Sequence, residues 1–90
     1  MADFIPLIPR GVRLHFDRVR ENWVLLAPER SITLDPIGLA ILNAVDGISP
    51  LSVIAQDLAA RYDAPLDLIT TDLHEFVTDL MDRRILEAQP

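Results

Sequence analysis

Few side chains in this 90-residue chain could do chemistry, and their spacing suits none of the common catalytic arrangements. The two histidines, His15 and His74, are the natural candidates for proton transfer or metal binding. His74 is followed by Glu75, but the HExxH pattern of zinc hydrolases needs a second histidine at 78, where threonine stands. Ser31, Ser49 and Ser52 lie outside any GxSxG elbow. Gly11, Gly38 and Gly47 are isolated, so no loop cradles a phosphate. Asp72, Glu75 and Asp79 recur at helical spacing, which suits a solvated face better than an acid–base pair. A chain this short also leaves little room for a deep pocket. Cysteine is absent, which removes disulfides, thiolate nucleophiles and the usual zinc motifs. The sequence therefore argues against an enzyme, and against a metal or cofactor of its own. Recognition is what remains.

Composition narrows the kind of recognition. Half of the residues are hydrophobic, so a packed core is expected rather than disorder. No apolar run approaches the ~20 residues of a membrane span. Residues 1–6 carry an acid and a proline, not the basic and apolar regions of a signal peptide, so a cytoplasmic protein is expected. All eight basic residues are arginine, and the net charge is -6. Residues 1–30 hold five arginines and four acids, a net +1; residues 31–90 hold three arginines and ten acids, a net -7. That acidic C-terminal part opposes contact with a phosphate backbone.

The elements that must position any recognition surface read in order. Residues 1–8 are expected to be an extended, proline-containing segment, packed on the domain or crossing to a second copy. Residues 9–90 are expected to form one domain, monomeric or dimeric. Val12, Leu14 and Phe16 alternate with Arg13, His15 and Asp17, as in a strand with one buried face. The polar run 17–22 is its hairpin loop. Trp23 to Ala27 is apolar on both faces, as in a strand covered on both sides. Pro28-Glu29-Arg30 supplies a turn. Ser31 to Leu34 then alternates as an edge strand would. Asp35-Pro36 marks a helix start, with aspartate as cap and proline at the first helical position. This helix runs to Asp46-Gly47, and Gly38 inside it costs about 1 kcal/mol unless something packs closely there. Ser49-Pro50 repeats the start signal for a second helix with Leu51, Ile54, Leu58 and Tyr62 on one stripe. A third helix over roughly 65–83 aligns Leu66, Ile69, Leu73, Phe76, Val77 and Leu80. Asp67, Asp72, Glu75, Asp79 and Asp82 lie on its other side, with Leu68 exposed among them. Ile85 and Leu86 form a short return. The expected fold is α+β and winged helix-turn-helix-like: a three-stranded antiparallel sheet followed by a three-helix bundle. Its core would draw on Val12, Leu14, Phe16, Leu25, Ile32, Leu34, Ile41, Leu42, Ile54, Leu58, Leu73, Phe76, Val77 and Leu80.

Such a fold suggests a DNA-binding regulator as one reading. The recognition helix would be the third, and its five acids would be repelled by phosphates, which disfavours nucleic acid. The other reading is capture of a peptide by strand addition to an open sheet edge. The edge would be Arg30, Ser31, Ile32, Thr33 and Leu34, and the third helix would wall the groove with Leu68, Asp72, Glu75 and Phe76. Ile32 and Phe76 also read as plain core.

The segments Pro9-Arg10-Gly11-Val12-Arg13-Leu14, Val24-Leu25-Leu26-Ala27-Pro28-Glu29-Arg30, Leu34-Asp35, Ala40-Ile41-Leu42, Asp46-Gly47 and Tyr62-Asp63-Ala64-Pro65 resemble the PqqD family of pyrroloquinoline quinone biosynthesis. The resemblance spans about residues 9 to 86. Arg84 stands where the family leads one to expect a glycine ending the last helix. The resemblance implies a peptide chaperone that binds the ribosomal precursor peptide PqqA. It would present that peptide to PqqE, a radical SAM enzyme that joins a glutamate and a tyrosine side chain. It also implies a leader peptide paired with the third strand and lying against the third helix, as in the recognition domains of other peptide-modifying enzymes. Arg10 and Arg13, with Arg30, would then attract acidic groups of the peptide or the enzyme.

Overall fold

Period-two alternation in the first third of the chain and helical spacing in the rest separate into sheet and helix, as those patterns require. The computed structural model describes residues 3–89; residues 1 and 2 of the N-terminal segment, and residue 90, lie outside the described residues. Along the chain run β1 (Ile5–Leu7), β2 (Arg13–Asp17), β3 (Asn22–Ala27) and β4 (Arg30–Thr33). Then come α1 (Pro36–Ala44), α2 (Leu51–Tyr62), α3 (Leu66–Asp82) and β5 (Glu87–Gln89). The molecule is a small α+β domain with antiparallel sheets and three helices among the described residues.

The main sheet has the order β2-β3-β4. One row of partners, Leu14↔Leu25↔Ile32, faces the helices, and Leu25 is fully buried there. The row on the other face is His15↔Val24↔Thr33. Val24 is buried but stands outside the main core cluster. A two-residue turn joins β3 to β4. Proline presets the backbone at 28, and Glu29 takes the left-handed conformation (φ 61°) that the second turn position demands. The ladder continues one bond past β4, because the Leu34 amide donates to the Trp23 carbonyl (3.0 Å).

The helix signals act locally. The Asp35 carboxylate accepts from the Gly38 amide (2.6 Å), with Pro36 at the first position, so α1 is capped as its sequence indicates. Gly38 does have a close neighbour: a Cβ there would lie 3.3 Å from Cε2 of Phe76. At the end of α3 the Ile85 amide donates to the Leu80 carbonyl and the Arg84 amide to the Met81 carbonyl. This is a Schellman closure, and its left-handed position is filled by Arg84 (φ 61°) where glycine has no steric penalty.

Several expectations are corrected. Phe16, placed in the core by alternation, is 41% exposed. It lies at the end of the sheet that the helices do not cover, edge-on to its cross-strand partner Trp23 at 5.5 Å between ring centroids. Trp23 is likewise half-exposed rather than covered on both sides. Tyr62 and Leu66 fall on their apolar stripes, yet both are exposed, because each lies at a helix end beyond the packed region. Leu68 is exposed, as its place on the polar side implies. Ser49 does not cap α2. Its amide and hydroxyl turn back to the Asp46 carboxylate, and Pro50 occupies the cap position without a side-chain bond.

The missing cap comes from the N-terminal segment, which packs on its own chain. The Leu51 amide donates to the Phe4 carbonyl (2.9 Å), and the Ser52 amide and hydroxyl donate to the Asp3 carboxylate (3.1 and 2.6 Å). The two amides are among the donors that a helix start leaves without internal partners. The segment continues as β1, which pairs with β5 in a second, two-stranded sheet (Ile5↔Gln89, Pro6↔Ala88, Leu7↔Glu87). Ile85 and Leu86, the expected return segment, are both buried and lead directly into β5. Three-residue strands carry too little alternation to be read from sequence.

Candidate functional site

The outer edge of β4 is the feature from which a site can be built. β4 has one strand neighbour among the described residues, β3. Antiparallel pairing alternates between hydrogen-bonded and non-bonded pairs. The bond from Leu34 to Trp23 fixes the phase, so Arg30 and Ile32 also turn their main-chain groups toward β3. Ser31 and Thr33 therefore direct their N–H and C=O groups outward, away from β3. Their side chains lie on the sheet face opposite the helices, while the Ile32 side chain packs against the core.

Two contacts relate β4 and the residues that follow it to α3. At one end an Arg30 guanidinium nitrogen donates to the Arg83 carbonyl (3.2 Å). At the other, Asp35 and Gly38 meet the neighbourhood of Phe76. Arg30 is thus a tie between strand and helix, placing a cation at the negative end of the helix dipole.

The four expected wall residues of α3 divide. Phe76 is half-buried against Gly38 and the core, in keeping with its reading as core. Glu75 is exposed. Leu68 and Asp72 belong to the N-terminal half of the helix, and Asp72 borders an apolar cleft between α1, α2 and α3. Sequence reasoning missed Asp79 and Arg83, which form an ion pair (3.4 Å) on the turn that Arg30 reaches. Their i,i+4 spacing marks an ion pair, but nothing in the sequence marks the approach of Arg30, which is a tertiary contact. Arg10 and Arg13 are exposed. Arg13 lies in the row Arg13↔Leu26↔Ser31, on the sheet face turned away from the helices.

His74 and Phe76 stand about 200° apart around α3 at 100° per residue. His74 meets Phe4 of the N-terminal segment edge-on, at 6.5 Å between centroids. The segment therefore covers a different side of α3 from the one beside β4. Among the described residues no three of His, Cys, Asp and Glu gather as a metal-binding group. No helix there is long and apolar enough to cross a membrane.

Comparison with known proteins gives a consistent result. The family described as "Coenzyme PQQ synthesis protein D (PqqD)" matches residues 22–86. The chain is 48% identical over 84 residues to a PqqA binding protein of Xanthomonas campestris pv. campestris strain 8004, covering 93% of this chain and 91% of that one. It is 50% identical over 80 residues to a PqqA binding protein of Rhizobium meliloti strain 1021, covering 89% and 82%. Among solved structures it resembles the solution NMR structure of the PqqD truncation of Methylobacterium extorquens PqqCD (TM-score 0.78, 48% identity, 91% of this chain and 87% of that chain). That protein is described as a functional, stand-alone RiPP recognition element.

Proposed function

The chain belongs to the PqqD family, and on that footing we propose that it is a non-catalytic peptide chaperone of pyrroloquinoline quinone biosynthesis. It binds the precursor peptide PqqA as an additional strand on the outer edge of β4. It then presents that peptide to the radical SAM enzyme PqqE in the cytoplasm. The observation that carries the reading is the outward main-chain row of Ser31 and Thr33, in a chain whose relatives are named for PqqA binding. Main-chain bonds to those residues supply affinity, and neighbouring side chains supply selectivity. A winged-helix DNA-binding reading fits less well, because phosphates would repel the acids along α3.

Such an interface falls at the small end, below ~1,200 Å². A dissociation constant of about micromolar, near -8 kcal/mol, suits a peptide that must be released after handover. Arg10 and Arg13 attract acidic groups on the peptide or the enzyme, being cations on the only arginine-rich part of the chain.

Thr33→Pro tests the reading. Proline at 33 removes an outward N–H and leaves the bonds to β3 in place, a position where edge strands tolerate it. PqqA binding, followed by NMR shift mapping and calorimetry, is expected to be lost while the helical spectrum persists. Undiminished binding by Thr33→Pro would overturn strand addition at β4.

A further inference from the structure

An apolar cleft of about 220 Å³ lies between α1, α2 and α3. Ile37 and Ile41 of α1, Leu58 and Tyr62 of α2, and Asp72 and Leu73 of α3 are among its lining residues. Its rim is wet: Ile37 is 64% exposed and Tyr62 54%. Exposed apolar groups gathered around a concavity mark a place where another molecule sits. A cavity of about 150 Å³ admits benzene, so this cleft has room for one aromatic or branched side chain.

Position and charge indicate the occupant. Ile37 follows directly on Leu34-Asp35-Pro36, so a segment paired along β4 that runs on past Leu34 arrives at this opening. Asp72 stands at the rim, in neither of the ion pairs found among the described residues, Arg61–Asp57 and Arg83–Asp79. Asp63 follows Tyr62, and Asp67 opens α3, so the surroundings are anionic too. We propose that the cleft receives one apolar side chain of the bound peptide, next to a basic residue that meets Asp72, from the stretch outside the strand-paired part. This assignment rests on strand addition at β4. It adds a second point of recognition, one that reads side chains where the edge reads only backbone.

The test uses the full chain with synthetic full-length PqqA, by calorimetry and NMR. Ile37→Glu alters an exposed position and leaves the core untouched. It is expected to weaken binding about tenfold while the shifts at Ser31 and Thr33 persist. Tyr62→Ala, also at the rim, should act in the same direction and serves if the first variant loses its fold. In an alanine scan of the peptide, one apolar residue outside the paired stretch should matter to the native protein and cease to matter to Ile37→Glu. Asp72→Asn should flatten the salt dependence of binding. If native protein binds with shifts at Ser31 and Thr33, yet both rim variants bind within about twofold of it, the cleft assignment fails alone. Unchanged salt dependence in Asp72→Asn removes the basic neighbour. If native protein does not bind, or its shifts avoid Ser31 and Thr33, strand addition fails and the cleft assignment with it.

Discussion

Gly38 on α1 faces the ring of Phe76 on α3, and a Cβ at 38 would lie 3.3 Å from Cε2 of that ring and 3.2 Å from Oδ1 of Asp35. Both neighbours are constrained, one by the core and the other by its cap on the Gly38 amide. Gly38→Ala gains about 1 kcal/mol of helix propensity but forces an overpacked contact costing about 1–3 kcal/mol. The expected outcome is a net loss of about 1 kcal/mol in urea unfolding, reduced when Phe76→Leu is added. A plainly stabilised Gly38→Ala would mean that the ring yields freely.

Arg84 makes the opposite case. It holds the left-handed position of the α3 closure, at φ 61°, without glycine's freedom. Arg84→Gly should stabilise the chain by about 0.5–1 kcal/mol, visible as a raised thermal midpoint. No change would show that the Arg84 side chain supplies compensating contacts.

The Arg30 tie to the Arg83 carbonyl has an exposed donor, so its worth is limited. Arg30→Ala should lower stability by about 0.5–1 kcal/mol and shift the Arg83 and Arg84 amides in NMR spectra. If those amides do not move while PqqA binding collapses, Arg30 acts on the peptide directly.

The Asp3 carboxyl is held below its ordinary value near 3.8, first by the Ser52 hydroxyl and then by the Ser52 amide. The folded chain thus binds this proton less readily than the unfolded one. The contribution is complete above the unfolded value and disappears as pH falls through the lower folded one. Acid titration below about pH 4 should release the Ser52 amide from Asp3, seen as a shift and faster exchange, and Asp3→Asn should abolish that step.

What the sequence could reveal was what is local. The Asp35-Pro36 start and the strands β2 and β4 are decided within a few residues and are found where those residues place them, while α1 ends at Ala44, just short of the expected Asp46-Gly47 stop. The outer edge of β4 follows from strand order alone. The cap of α2 was not legible, because its acceptors, Asp3 and Phe4, stand far from Leu51 and Ser52 along the chain. Alternation placed Phe16 on the core face, but did not show that the helices stop short of it. The sequence also leaves open which part of the third helix approaches β4. The Arg30–Arg83 tie joins β4 to the C-terminal end of that helix, whereas Leu68 and Asp72 lie in its N-terminal half.

The β1–β5 pair has a practical bearing on how the chain can be joined to others. Ile5 and Gln89 are cross-strand partners, so a short linker could close the chain into a ring, to be reopened at the β2–β3 turn. A neighbour fused at either terminus would leave from the same small ribbon. Since that ribbon shares no strand with the main sheet, a covalently attached enzyme could be carried without using up the main-chain groups of Ser31 and Thr33.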